Sequence, residues 1–147
     1  MRYLGLDLGT KTLGIAITDR LGMIANPYKT IKFSNPIETI EPLKALIEEQ
    51  GVGEIALGLP KNMDNSEGFA SKRSFEYKEL LESHIDIPIT LVDERLSTME
   101  AEKYLLSADV SRSKRKVVID AVAASVILNT FIRMRGNEKD EREIKHI

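Results

Sequence analysis

LGLDLGTKTLGIAITD, residues 4–19, places one carboxylate, Asp7, inside an apolar run that otherwise reads as a buried strand. After Gly9-Thr10-Lys11-Thr12 a second apolar run follows, ending at Asp19. The pattern predicts strands over residues 2–8 and 13–19 joined by a loop of hairpin length. A buried carboxylate is costly unless something compensates it. Asp7 is therefore either a structurally paired acid or the rim of a site where a cation meets it.

Working outward, Asp19-Arg20-Leu21-Gly22 reads as a second turn and Met23 to Phe33 as a third strand, with Pro27 marking an edge or a break. Asn35, Pro36 and Glu38 spell a capped helix start, Ile37, Ile40, Leu43 and Ile47 keep helical spacing, and Gly51 ends the helix. A short strand follows over 54–59, then the turn-rich GLPKNMDNSEG. A second helix is expected over 67–84 with Phe75, Leu80 and Leu81 inward, then a strand over 88–92. Ser97 to Glu100 spells another capping box before a third helix, and a long helix is expected from Lys116 to about Arg135. The order β-β-β-α-β-α-β-α-α starts with three hairpin-linked strands and ends in units that need parallel crossovers. This is an α/β protein with a five-stranded mixed sheet, its first three strands antiparallel.

Composition narrows the chemistry. The 147 residues suit one domain with a sizeable core. The absence of cysteine excludes disulfides, thiolate metal sites and a cysteine nucleophile, and it fits a cytoplasmic protein. No apolar stretch reaches the roughly 20 residues that span a bilayer, so no membrane partner is expected, and MRYLGLDLG does not read as a signal peptide. The net charge of −2 argues against a uniformly basic surface but leaves room for a local basic patch.

Three carboxylates stand out: Asp7 within the first strand, Glu94 at the end of PITLVDE, and Asp120 inside VVIDAVAASVIL. Each alone has an ordinary explanation. Asp7 can be a structural acceptor, Glu94 a strand-end acid paired with Arg95 or Lys103, and Asp120 a first-turn acid favoured by the helix dipole. Brought together they would repel one another and hold their protons unless a divalent cation removed the conflict, and hard oxygen ligands suit Mg²⁺ or Mn²⁺. Two such ions about 3.5–4 Å apart clamp both oxygens of an in-line phosphoryl displacement. Ala121, Ala123 and Ala124 would let this helix approach the sheet closely, although alanine is also the best helix former. Arg112-Ser113-Lys114-Arg115-Lys116 carries four cations and no acid just before Asp120. Such a run is usually a solvated surface; beside a metal site it can hold phosphates without reading sequence. The loop from Lys61 to Ser66, with Asn62, is a further candidate contact. His84 and His146 do not read as general bases.

GLDLGTKTLGIAITD, GLPKNMDNSEG, VDERLST and IDAVAASVIL, in this order, resemble the bacterial YqgF/RuvX family over about residues 1–134. The resemblance implies an RNase H-like fold with helices on both sheet faces. It also implies a metal-dependent endonuclease, processing the 5′ end of pre-16S rRNA or resolving DNA four-way junctions. It places catalytic, metal-holding acids on Asp7, Glu94 and Asp120. Nucleic-acid contacts are expected at Lys11, Asn62, Arg95, Arg112, Lys114, Arg115 and Lys116. Mg²⁺ or Mn²⁺ is the implied cofactor, with no small-molecule cofactor. Pre-16S rRNA, branched DNA or an assembling small ribosomal subunit is the implied partner. Residues 1–135 would form the single nuclease domain and residues 136–147 a charged, flexible tail. The chain departs from the family's pattern at Thr12 and Asn65, away from the acids. D-x-G-T also opens the phosphate-binding hairpin of sugar kinases, actin and Hsp70-type ATPases, but 147 residues leave no second domain to grip a nucleotide. A non-catalytic binding module of the same fold is the other rival, and all three acids being present counts against it.

Overall fold

The computed structural model describes the backbone of residues 1–60, 69–93 and 112–145, and side chains within them at 1–60, 72–93 and 119–136. Five strands, β1 (Arg2–Leu8), β2 (Thr12–Thr18), β3 (Ala25–Lys32), β4 (Val52–Leu59) and β5 (Ile89–Asp93), form one sheet in the order β3-β2-β1-β4-β5. β1 pairs antiparallel with β2 and β2 with β3, whereas β4 and β5 join in parallel. The expected mixed sheet is present, and parallel pairing puts the C-terminal ends of β1, β4 and β5 along one edge. Pro27 does sit on an edge strand. The β2–β3 register shifts there, Ile15 pairing with Lys29 and Ala16 with Pro27, so Tyr28 is the extra residue of a bulge.

A short 3₁₀ turn (Pro36–Thr39) leads into helix α1 (Ile40–Gln50). Asn35 accepts from the Ile37 amide, Glu38 reaches back to the Asn35 amide, and Gly51 closes α1 at a φ of 66°. Helix α2 (Phe69–His84) starts close to its expected position. Its buried stripe is Ser74, Tyr77 and Leu81. Phe75, expected inward, is exposed, because the helix turns its 74/77/81 face to the sheet. Similarly Leu46 is buried on α1, Ile47 only partly so, and Ile37 in the preceding turn is exposed. Helix α3 (Arg112–Lys145) begins earlier than the expected Lys116, and its backbone runs through residues expected as a tail. Ser97 to Glu100 and the helix expected after them lie outside the described residues.

Alternation along the strands builds two cores. Leu4, Leu6, Leu8, Leu13, Ile15, Ile55 and Leu57 meet α1 and α2 on one face. Ala16, Ala56 and Val92 meet Ala124, Ile127, Leu128 and Phe131 of α3 on the other. Helices therefore cover both faces, as expected. Leu81 is fully buried in the larger core. Leu81→Ala should cost about 2–5 kcal/mol; urea denaturation showing almost no change would mean that α2 is not seated there.

Candidate active site

The face that carries α3 is lined by small residues for a steric reason. A Cβ on Gly5 would lie 2.6 Å from the Ala124 carbonyl oxygen and 2.8 Å from the Leu128 Cβ. A Cβ on Gly14 would lie 2.0 Å from the carbonyl oxygen of Asp120. The helix backbone thus rests directly on β1 and β2, a contact that only glycine allows. Ala121 and Ala124 lie at this contact, as the small-residue reading expects, whereas Ala123 is buried beside Val122 in a separate cluster.

This contact sets where the acids stand. Asp7 pairs in register with Gly14, and Gly14 with Thr30 of β3. The Asp120 backbone lies against Gly14, so Asp7 and Asp120 are brought to neighbouring positions on one face, near the C-terminal edge of β1. Both are half-buried. From there α3 runs antiparallel to β1. Leu128 packs toward Gly5, the Phe131 ring meets Tyr3 edge-on at 5.2 Å, and Arg135 pairs with Glu54, which also accepts from Thr90. Arg135 additionally stacks 5.0 Å over Phe131. The helix is clamped at Phe131 and Arg135, and its N-terminal turns project past the edge that carries the acids.

β5 ends at Asp93, in register with Leu59 at the same edge. Glu94 follows by one residue; it, Arg95 and Asn62 lie outside the described residues. Lys11 is exposed in the β1–β2 loop, its carbonyl accepting from the Phe33 amide at 2.9 Å. Arg112, Lys114, Arg115 and Lys116 all fall in the first turns of α3. At 1.5 Å per residue, Arg112 lies about 12 Å along the axis before Asp120. The basic run is therefore placed at the acid-bearing end.

The donors at this edge suit a hard divalent cation: carboxylate oxygens, with neither thiolate nor imidazole in the row. Among the described residues no group of three or more potential metal ligands occurs. Asp7 and Asp120 supply two carboxylates, and the third acid of the expected set, Glu94, is outside the described residues. Gly5 and Gly14 are the positions that sequence reasoning misses, although glycine inside a strand is a recognised sign of close backbone approach.

Comparison with known proteins shows the family and the fold. Residues 1–134 match the family described as RuvX: Holliday junction resolvase. The chain belongs to the RuvX family. A Staphylococcus haemolyticus relative is 52% identical over 134 residues, spanning 89% of this chain and 94% of its own. One from Halothermothrix orenii is 47% identical over 136 residues, spanning 92% and 97%. Both are provisionally named pre-16S rRNA nuclease. Among solved structures, the fowlpox virus resolvase bound to Holliday junction DNA aligns with a TM-score of 0.56 at 9% identity, covering 91% of this chain and 98% of that one. Thermus thermophilus RuvC with its junction substrate aligns at 0.53 and 13%, covering 91% and 96%. These likenesses place the RuvX chain in the RNase H-like fold. Among the described residues no helix is long and apolar enough to cross a membrane.

Proposed function

We propose that this RuvX-family chain is a divalent-metal-dependent endonuclease that hydrolyses nucleic-acid phosphodiesters, processing the 5′ end of pre-16S rRNA. The observation that carries this is the seating of Asp120 on Gly14, beside Asp7, at the edge where the basic run begins. In this reading Asp7, Glu94 and Asp120 hold one or two Mg²⁺ or Mn²⁺ ions. Bound there, such ions supply an activated water and neutralise charge on the phosphate. The chain's own part is positioning. The acids fix where the reacting phosphate sits and repel it when no cation is present, so activity depends on the ion. Lys11, Asn62, Arg95 and Arg112 to Lys116 contact flanking phosphates, which orients the strand without reading its bases. RNA processing of this kind belongs in the cytoplasm, with an assembling small ribosomal subunit as the natural context. The names of the relatives favour RNA. The family's description favours a second reading, resolution of DNA four-way junctions.

One assay separates them. An RNA carrying the 5′ flank of 16S rRNA and a DNA four-way junction are offered side by side with Mn²⁺, and again with a chelator. RNA cut only in the presence of metal is the expected result. Cutting of the junction alone moves the chain to DNA, and metal-independent cutting, or none, overturns the proposal. A second prediction concerns the basic run. Reversing Lys114 and Arg115 to Glu should weaken substrate binding and lower the slope of log K against log salt by about 0.7 for each single-strand phosphate no longer neutralised. An unchanged slope would return the run to ordinary solvated surface.

A further inference from the structure

A second feature lies round the same edge, on the face away from Asp120. A cavity of about 200 Å³ is lined by Leu8, Asn35, Pro36, Arg73, Glu76, Tyr77 and Leu80. Leu8 directly follows Asp7 on β1. Because successive strand residues point to opposite faces, the last two residues of β1 address the acid face and the cavity in turn. The volume is below the roughly 300 Å³ where drug-sized sites begin, so it suits a fragment of one ring system.

Its lining is uneven. Leu8, Pro36, Leu80 and the Tyr77 ring give apolar walls. The Tyr77 hydroxyl is already committed to Thr39 at 2.6 Å, and burial pushes its pKa up to about 12, so it stays a neutral wall. Asn35 uses its side-chain oxygen to cap the 3₁₀ turn, leaving its amide hydrogens as donors. Arg73 is the anomaly. Its Nε is buried and has no hydrogen-bond partner among the described residues. An unmet buried donor is destabilising, the more so on a charged group; Arg73 also lines the cavity, which its terminal guanidinium nitrogens, and not the inaccessible Nε, can serve. Glu76, one helical turn on, is exposed at the rim.

A free anion is a poor occupant, because Glu76 would oppose it. A group with acceptors on one side and donors on the other satisfies both residues. Among nucleic-acid components guanine fits best. Its O6 and N7 accept from an arginine fork, and its N1–H and N2–H₂ can donate to a carboxylate. Apolar walls suit an unstacked ring. We propose that this cavity receives a guanine base of the nucleic-acid strand held at the acid-bearing edge, giving the chain a sequence preference that its phosphate contacts cannot supply. The assignment rests on the nuclease reading for its biological setting, but base binding is measurable without it.

The test titrates the full-length protein with guanosine, adenosine, cytidine and uridine, followed by amide and arginine Nε resonances. Nucleosides lack phosphate, so the basic run does not contribute. Guanosine should shift Asn35, Arg73 and Tyr77 and bind at least tenfold more tightly than the other three. Arg73→Met and Glu76→Gln should each weaken it tenfold or more. Arg73→Met should keep or raise the melting temperature, since it removes an unmet donor; a structural arginine would lower it. Equal binding of all four nucleosides, no shift at millimolar guanosine, or a destabilised Arg73→Met would overturn the inference. Asp7→Asn protein should still bind guanosine. Guanosine binding in a protein that cuts no nucleic acid would support the cavity and sink the nuclease reading. Metal-dependent cutting without guanosine binding would do the reverse.

Discussion

Asp7→Asn protein should fold as the parent does and lose divalent-ion-dependent cleavage. The substitution keeps the shape of the side chain and removes its charge. It acts at a half-buried strand position in register with Gly14, on which the Asp120 backbone rests. Changing a residue that merely supports a metal ligand commonly costs about 10–100-fold in affinity or activity. Loss of a ligand itself should therefore exceed about 100-fold. Stability should hardly fall, because one fewer carboxylate at an acidic edge relieves repulsion when metal is absent. Cleavage rate and melting temperature measured on one preparation decide the matter. A mutant retaining a tenth or more of the parent's activity would remove Asp7 from the mechanism, and one that no longer folds would reassign it to structure.

Gly14→Ala should be the most damaging single-methyl change in the sheet. The new Cβ would stand 2.0 Å from the Asp120 carbonyl oxygen, a backbone atom that no rotamer change can move aside. Either α3 lifts from β2 or the strand bends, and overpacking of this type costs roughly 1–3 kcal/mol or more. We place it at the upper end, about 3 kcal/mol, which at 2–4 °C per kcal/mol lowers the melting temperature by roughly 6–12 °C. Cleavage should drop further than stability accounts for, since the shift separates Asp120 from Asp7. A variant within about 0.5 kcal/mol of the parent would show that the helix does not rest on Gly14. Gly51→Ala differs in kind: nothing lies within 4 Å there, and only its φ of 66° opposes the change.

Much of this fold is legible in the amino-acid order alone. Period-two alternation and two tight turns specify the opening hairpins, and Pro27 marks the edge strand because proline cannot donate to a ladder. Asn35, Pro36 and Glu38 specify a helix start through local hydrogen bonding, which needs no tertiary information. Tertiary choices are harder to read. Phe75 reads as a core residue, yet which face of an amphipathic helix turns inward is decided by the surface it meets, and α2 presents Tyr77 and Leu81. The start of α3 lies ahead of its expected place because a run of cations offers no apolar period to follow. Of the site, Asp7 and Asp120 declare themselves as carboxylates in apolar company. Why they come to neighbouring positions does not show, since that depends on glycines whose significance appears only when a helix lies on them. Arg73 gives no signal at all: a lone arginine on a polar helix carries no sign that its Nε will be buried without a partner among the described residues.

The edge strand β3 has a consequence beyond the hairpin that it completes. Among the described residues no strand neighbours its outer side, and an open row of backbone donors and acceptors is the usual template for self-templated aggregation. Here the row is interrupted. Pro27 offers no N–H, the bulge at Tyr28 breaks the repeat that a docking strand would follow, and Lys29 and Lys32 would bring like charges together in a stacked pair. A chain that handles polyanions needs cations on its surface; these two, set on an unpaired edge, also keep one copy from growing onto the next.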